Sequence, residues 1–143
     1  MYNFYSEKEL ENIKPVSPSY LDIKSPVELY ELLSNGGWTI ETCAPRLREL
    51  FNEENKTVGQ CSITSFLVQD IFGGLVYGVP LEDGSVHCFN VVEGIKFDLT
   101  SEQFGDTKLE YTFDFPQSRL THFADLAKFK RYLLLRSNLN KLR

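Results

Sequence analysis

The spacing of the apolar residues changes from a helical to a strand period at Gly73-Gly74, near the middle of the chain. Before this point apolar side chains recur every three or four residues, as on the buried face of a helix: Ile63, Phe66, Leu67, Ile71 and Phe72. After it, the turn signals Glu82-Asp83-Gly84 and Glu93-Gly94 separate three short apolar runs, which predicts antiparallel strands over 75–81, 85–92 and 95–99. Helices followed by a meander, rather than alternating strands and helices, predict an α+β fold.

The part of the chain before this helix predicts an irregular start and two further helices. Residues 1–24 contain two prolines and few periodic apolar positions, so we expect an extended lead-in with room for one short helix. Ser25-Pro26 places a capping side chain and a proline at a helix start, and Gly36-Gly37 ends that helix. Pro45 starts the second helix, and we expect both helices to pack on the meander.

After the meander the sequence predicts a short helix, one more strand and a long final helix. Thr100-x-x-Gln103 has the spacing of a capping box. The alternating aromatic residues of 111–115 predict a strand that ends at Pro116. Thr121 is in position to cap a long amphipathic helix that runs to the end of the sequence.

Composition narrows the class of protein. A length of 143 residues fits a single domain, with the lead-in over 1–24 and the core over 25–143. The net charge of −5 argues against nucleic acid as the main partner, because phosphate binding needs clustered Lys and Arg. Three cysteines do not make a disulfide framework, the N-terminus is too polar for a signal peptide, and no apolar run approaches the ~20 residues of a membrane span. We therefore expect a reduced, soluble protein of the cytoplasm with no membrane partner.

Cys61 lies at the predicted start of the helix that precedes the meander, in the segment Gly59-Gln60-Cys61. The unpaired N–H groups and the positive dipole end of a helix N-terminus favour a thiolate over a thiol. A nearby imidazole lowers the pKa of the thiol further and acts as general base. Cys61 is therefore the candidate nucleophile, whereas we expect Cys43 and Cys88 to be small buried residues, as free cysteines often are.

His87, one of two histidines, lies in the middle strand of the meander. If Glu93-Gly94 is a two-residue turn, Phe89 faces Asp98 across the hairpin. His87 shares its face with Phe89, because side chains alternate along a strand, and is then diagonal to Asp98. This predicts that Asp98 orients the imidazole of His87 while the other ring nitrogen points at Cys61. A three-residue loop would put Asp98 on the wrong face.

The remaining polar candidates have weaker support. Asn90 is an alternative partner for His87, but the alternation of the strand places it on the opposite face. His122 lies near the start of the final helix, where we expect a surface or capping role. Cysteine and histidine do not occur at a metal-binding spacing, and the glycine pairs mark helix ends rather than phosphate loops. We therefore expect neither a metal nor another cofactor.

Three motifs together resemble the transglutaminase-like pattern: Gly59-Gln60-Cys61 at a helix start, His87-Cys88-Phe89-Asn90 on a strand, and Asp98-Leu99-Thr100. The resemblance implies a papain/transglutaminase-like (cysteine proteinase) core with a Cys-His-Asp triad. Ser62 stands where those enzymes often have a Trp after the nucleophile, and Leu99 stands where a Pro or small residue usually follows the aspartate. These two departures leave the substrate class open.

Over most of its length the chain also resembles the uncharacterised bacterial YunG-like family. The resemblance covers roughly 38–135. The matching residues are Trp38, Gly59-Gln60-Cys61, Thr64, Gln69-Asp70, Gly73-Gly74, His87, Asn90, Asp98-Leu99-Thr100, Gln103-Phe104 and Arg131-Tyr132. This likeness implies membership of a family but no particular reaction.

Two functions from different classes follow. In the first, Cys61 attacks an amide or ester carbonyl, His87 shuttles the proton and Asp98 orients His87. Such a cysteine-dependent acyl-transfer enzyme, an amide hydrolase, deamidase or transglutaminase-like protein, acts on a peptide, protein or small-molecule amide. Its oxyanion hole would use the backbone N–H of Cys61 with Gln60 or the indole N–H of Trp38 as second donor. In the alternative, the same fold is a catalytically inactive binding or regulatory domain. The sequence leaves the oligomeric state open.

Overall fold

The computed structural model describes residues 2–143. Within this range the elements are α1 (Pro26–Leu32), α2 (Cys61–Phe72), β1 (Leu75–Pro80), β2 (Val86–Val92), β3 (Ile95–Phe97), α3 (Arg119–Phe123) and α4 (Leu126–Leu142). Short 3-10 turns lie at Pro18–Tyr20, Pro45–Leu50 and Ser101–Phe104, and a π-helical turn at Leu33–Gly37 continues α1. The architecture is α+β, as the change of period predicts. No helix in the described range is long and apolar enough to cross a bilayer.

The sheet is an antiparallel meander with the strand order β1–β2–β3. In the second hairpin Val92 pairs with Ile95 and Asn90 pairs with Phe97. The turn residues of Glu93-Gly94 both have positive φ, 54° and 77°, as a two-residue hairpin with the favoured twist requires. The register predicted for a two-residue turn is therefore confirmed.

Helix α2 forms the centre of the core. Nine of its twelve residues are buried, and it packs against β2 and against α4. Gly73, with a φ of 80°, ends the helix and donates its N–H to the carbonyl of Gln69 over 2.9 Å. Because the helix is held from two sides, its first residue, Cys61, is fixed relative to the sheet.

The lead-in is part of the core rather than a separate arm. Its buried apolar side chains are Phe4, Leu10, Ile13, Tyr20 and Ile23. The N–H groups of Val16 and Ser17 donate to the carbonyl of Ile71 near the end of α2, over 2.8 and 3.2 Å. These contacts tie the start of the chain to the helix that carries Cys61.

Two predictions for the C-terminal third are wrong. Residues 111–115 form no strand, because Phe113 and Phe115 are exposed and the alternating aromatic side chains do not form a buried face. A single β-bridge joins Tyr77 to Pro116. The final helix is split in two, with Ser118 capping α3 and Asp125 capping α4 through side-chain oxygens. The split decides which residues of α4 face the site described below.

Two helix starts also differ from the prediction. The segment that begins at Pro45 is a 3-10 turn rather than an α-helix. The capping box at Thr100 does not form, because the Thr100 hydroxyl donates to Asp98 over 3.1 Å. The Gln103 amide instead donates to the carbonyls of Thr57 and Thr100, over 3.1 and 2.9 Å. The Thr100 hydroxyl therefore binds Asp98, and the Gln103 side chain links the turn after Asp98 to the loop before α2.

Candidate active site

The segment before Cys61 lies close against the loop that carries Cys43. Gly59 has a φ of 70°, and a Cβ at this position would lie 2.6 Å from the Cys43 sulfur and 2.8 Å from the Ala44 nitrogen. Only glycine allows this approach, in which the Gly59 carbonyl accepts from Ala44 over 3.0 Å and from Arg131 over 3.4 Å. Cys61, two residues after Gly59, is the first residue of α2. At this end of a helix the backbone N–H groups have no partner within the helix.

Cys61 is the thiol that its surroundings favour as a thiolate. A hydrogen bond with the Cys88 thiol, together with the positive charge of His87, lowers the pKa of Cys61 well below that of a free thiol, although burial opposes the shift. The contact with Cys61, together with burial, raises the pKa of Cys88. Burial also raises the pKa of Cys43. The pKa of Cys61 is therefore lowered while those of Cys43 and Cys88 are raised, so the thiol at the helix start is the one expected to react.

His87 and Asp98 form the buried pair that the hairpin predicts. His87 Nε2 donates to Asp98 Oδ2 over 2.6 Å, and each side chain is 2% exposed. Because Nε2 is taken, Nδ1 is the ring nitrogen left for Cys61. Burial opposes protonation of His87, but the negative charges of Asp98 and Cys61 outweigh it and raise the pKa of His87 to about 10. His87 is therefore an imidazolium at neutral pH.

The carboxylate of Asp98 is held by four donors. Its Oδ2 accepts from His87 and, over 2.7 Å, from the Tyr111 hydroxyl, while its Oδ1 accepts from the N–H and hydroxyl of Thr100 over 3.0 and 3.1 Å. Burial and the charge of Asp98 raise the pKa of Tyr111 far above its usual range, so the phenol remains a donor. Tyr2 donates to the backbone carbonyl of Asp98 over 3.0 Å. The position of Asp98 therefore fixes the ring of His87.

Phe104 covers one side of the His87 ring. The two rings meet edge to face, with centroids 4.7 Å apart and planes at 90°. Phe104 ends the 3-10 turn Ser101–Phe104, which follows directly from Asp98 and Thr100. The same short segment thus supplies the anion, one of its donors and the apolar cover that limits access of water to the imidazole.

A cleft of about 650 Å³ opens beside Cys61 and His87. One wall is the turn Pro45–Leu50, whose Arg46 pairs with Asp83 across the rim over 3.7 Å. The volume is within the range of sites for small molecules or for a few residues of a peptide. A second cleft, of about 480 Å³, is lined in part by residues of the lead-in and contains neither Cys61 nor His87.

The other wall of the cleft contains His122, Lys128 and Arg131. Lys128 Nζ donates to His122 Nδ1 over 2.9 Å, and His122 Nε2 donates to Gln117 Oε1 over 2.8 Å. Burial and the charge of Lys128 lower the pKa of His122, which is therefore the neutral tautomer with its proton on Nε2. His122, for which the sequence predicted a surface or capping role, is half-buried in the last turn of α3 and lines the cleft.

Three residues predicted to support the site have other partners. The indole N–H of Trp38 donates to Thr64 Oγ1 over 2.9 Å in the core. The Gln60 amide donates to a backbone carbonyl over 3.2 Å, and its own oxygen is buried without a partner in the described chain. Neither lines the cleft, so their positions do not support the predicted oxyanion role. Asn90 donates to the carbonyl of Ser65 over 2.9 Å, on the face of β2 away from His87, as the alternation predicts.

Sequence reasoning also missed Cys88, which it placed in the core as an inert residue. Strand alternation does place Cys88 on the opposite face from His87, but Cys61 lies at the start of α2, where both residues affect its pKa. No local signal shows this, because the contact depends on where the helix start lies over the strand. Within residues 2–143 no group of three or more His, Cys, Asp or Glu side chains is arranged to hold a metal ion.

Comparisons with known proteins relate the chain to one family. A family model described as YunG protein matches residues 25–143. A curated relative from Bacillus subtilis (strain 168), named Uncharacterized protein YunG, is 37% identical over 75 residues, which is 52% of this chain. The match spans 63% of the length of that relative. No solved structure matches the chain.

Proposed function

The chain belongs to the YunG protein family, and we propose that it is a cysteine-dependent acyl-transfer enzyme that uses Cys61, His87 and Asp98. One observation carries the proposal: Cys61, a thiol with a lowered pKa at a helix N-terminus, lines the same cleft as His87, whose imidazolium a buried carboxylate holds over 2.6 Å. A cleft opens at the same thiol. Perturbed titratable groups that converge in a cleft are typical of reaction centres.

In the proposed reaction the Cys61 thiolate attacks the carbonyl carbon of an amide or ester, and the carbonyl electron pair moves onto oxygen. The backbone N–H of Cys61 and the N-terminal dipole of α2 stabilise this oxyanion. His87 then donates its Nδ1 proton to the leaving amine or alcohol as the C–N or C–O bond breaks, which leaves a thioester on Cys61.

The second half of the reaction resolves the thioester. Neutral His87 removes a proton from water or from an acceptor amine, which attacks the thioester carbonyl and releases the Cys61 thiolate. Water as acceptor makes the protein an amide hydrolase or deamidase, and an amine makes it transglutaminase-like. The order of the three residues along the chain supports a papain/transglutaminase-like core, as do their places at a helix start, on a strand and directly after the next strand.

The proposal is tested by the pH dependence of alkylation of Cys61 with iodoacetamide, followed peptide by peptide with mass spectrometry. We expect Cys61 to react well below pH 8 and faster than Cys43 and Cys88, because only the thiolate reacts. In His87→Gln, whose amide retains a donor for Asp98, the apparent pKa of Cys61 should rise. The matched control is His122→Gln, which replaces the other histidine of the chain.

Either outcome decides between the two classes of function. A low apparent pKa of Cys61 that rises in His87→Gln, with a smaller change in His122→Gln, supports the enzyme and justifies a screen of amide substrates. An unreactive Cys61 whose behaviour is the same in both variants contradicts it. The alternative, a catalytically inactive binding or regulatory domain, would then account for the cleft.

A further inference from the structure

Lys128 and Arg131 lie three residues apart on α4 and both line the cleft beside Cys61. The cap at Asp125 sets this orientation, because α4 begins directly after it. Lys130 lies between the two positions and is exposed outside the cleft. One face of α4 therefore brings two cations to the candidate nucleophile of a protein whose net charge is −5.

Neither cation has a carboxylate partner in the described chain. The ion pairs within residues 2–143 join Arg46 to Asp83, Lys56 to Glu53, His87 to Asp98, Arg119 to Asp70, and Arg143 to Asp22. The acidic residues of the cleft lining, Asp83 and Asp125, are both engaged: Asp83 pairs with Arg46, and Asp125 accepts the backbone N–H of Lys128 over 3.2 Å.

Neutral groups only partly satisfy the two cations. Lys128 donates to the neutral ring of His122. Arg131 donates from Nη1 to the carbonyls of Thr42 and Gly59 over 2.9 and 3.4 Å, while its Nε is buried without a partner among the described residues. A desolvated cation without a paired carboxylate is unfavourable, and an anion that enters the cleft and accepts its hydrogen bonds relieves this cost.

We propose that Lys128 and Arg131 form a carboxylate-binding subsite, so that the substrate of Cys61 carries an acidic group next to the carbonyl that reacts. The inference rests on the proposed function, because it assigns the specificity of the same cleft. Candidate substrates are amides or esters of acidic amino acids and peptides with an acidic side chain or a terminal carboxylate. The positive charges of Lys128 and Arg131 attract this acidic group and hold it beside the Cys61 thiol.

The test compares iodoacetate with iodoacetamide. In both reactions the Cys61 sulfur forms a bond to the methylene carbon and iodide leaves, and the two probes differ only in a carboxylate against an amide. The quantity measured is the ratio of the two rate constants at Cys61, in the wild type and in Lys128→Gln, Lys128→Arg and Lys130→Gln. The imidazolium of His87 favours iodoacetate in all four proteins, so that its effect cancels in the comparison.

We expect the iodoacetate-to-iodoacetamide ratio to fall about fivefold in Lys128→Gln, the size of one nearby charge in a partly solvated site. Lys128→Arg should restore the ratio, Lys130→Gln should leave it unchanged, and the effect should shrink as salt is added. A Lys128→Gln ratio equal to the wild-type ratio, at a Cys61 that still reacts with iodoacetamide, overturns the subsite and leaves the proposed function standing. A wild-type Cys61 that reacts with neither probe overturns both.

Discussion

The two sides of the Cys61–His87 pair differ in how completely their polar groups are satisfied. On the hairpin side, Asp98 accepts four hydrogen bonds from His87, Tyr111 and Thr100. The buried side-chain atoms without partners in the described chain are Thr57 Oγ1, Gln60 Oε1 and Arg131 Nε, and of these residues only Arg131 lines the cleft. All three belong to the loop before Cys61 or to the α4 wall.

This difference separates a supporting region from a binding region. Buried polar groups in proteins are nearly always hydrogen-bonded, and a catalytic or binding role is one reason for an unsatisfied group. The hairpin side has no donor or acceptor to spare and fixes the imidazole. The cleft side keeps one cleft-lining residue, Arg131, with a donor that a ligand can satisfy, and this is where the proposed substrate lies.

The largest predicted effect breaks the hairpin side. Asp98→Asn removes the buried negative charge that raises the pKa of His87, and we expect a loss of about 3 kcal/mol in the free energy of unfolding. The reactivity of Cys61 near pH 6 should fall as well, because the imidazolium is lost. Urea unfolding and iodoacetamide alkylation measure the two effects. Asp114→Asn, at an exposed aspartate, is the control, and an equal loss of stability there contradicts the explanation.

The second prediction concerns protons bound by the pair. The folded pair holds one proton on His87, whose pKa is about 10, while Cys61 is a thiolate. The unfolded chain also holds one proton between pH ~6.5 and ~8.5, now on the thiol, so stability does not change with pH in this range through this pair. Below pH ~6.5 the unfolded chain holds one proton more than the folded chain, so stability falls as pH falls. Above pH ~8.5 the folded chain holds one proton more, so stability falls as pH rises.

Cys61→Ser removes this balance. Only His87 then titrates. The negative charge of Asp98 still raises its folded pKa, although the contribution of Cys61 is lost, so stability falls as pH rises from ~6.5 over a narrower range than the wild-type pKa would give. We expect a slope of about 1.4 kcal/mol per pH unit, the value of one proton, against a flat wild-type profile. Urea unfolding at several pH values measures it. The same slope in Cys43→Ser, where no such pair exists, contradicts the assignment of the ion pair.

Local rules were sufficient to predict the hairpin side. A two-residue turn fixes the register of a hairpin, and the alternation of side chains then decides that His87 meets Asp98 and that Asn90 does not. The end of α2 at Gly73 was equally predictable, because glycine adopts the positive φ that stops a helix. Each of these inferences depends on residues close together in the sequence.

The cleft side depends on contacts between distant segments, which no local pattern contains. Lys128 and Arg131 reach the cleft because Asp125, rather than Thr121, caps the final helix. The donation of Tyr111 to Asp98 requires that segment to be irregular, whereas its alternating aromatic residues predicted a strand. Long-range packing therefore determines which residues line the cleft, and the sequence alone indicated only the candidate nucleophile and base.

A smaller effect tests the contact between the two thiols. Cys88→Ala removes the hydrogen bond that contributes most to the lowered pKa of Cys61, so its apparent pKa should rise while His87 and Asp98 stay in place. The lost sulfur leaves a small cavity that costs about 1 kcal/mol of stability. Alkylation of Cys61 as a function of pH measures the shift. Cys43→Ala is the matched control, and an identical shift there would show that Cys88 has no specific role.

The smallest effect separates a residue that supports the fold from one that faces the cleft. Trp38→Phe deletes the indole N–H that donates to Thr64 over 2.9 Å, and leaves the buried hydroxyl without this donor. We expect a loss of about 1 kcal/mol, and a double-mutant cycle with Thr64→Val should show that the two losses are not additive. The alkylation rate of Cys61 and its pH profile should remain those of the wild type, because Trp38 does not line the cleft. A changed profile at unchanged stability would return Trp38 to the site as an oxyanion donor.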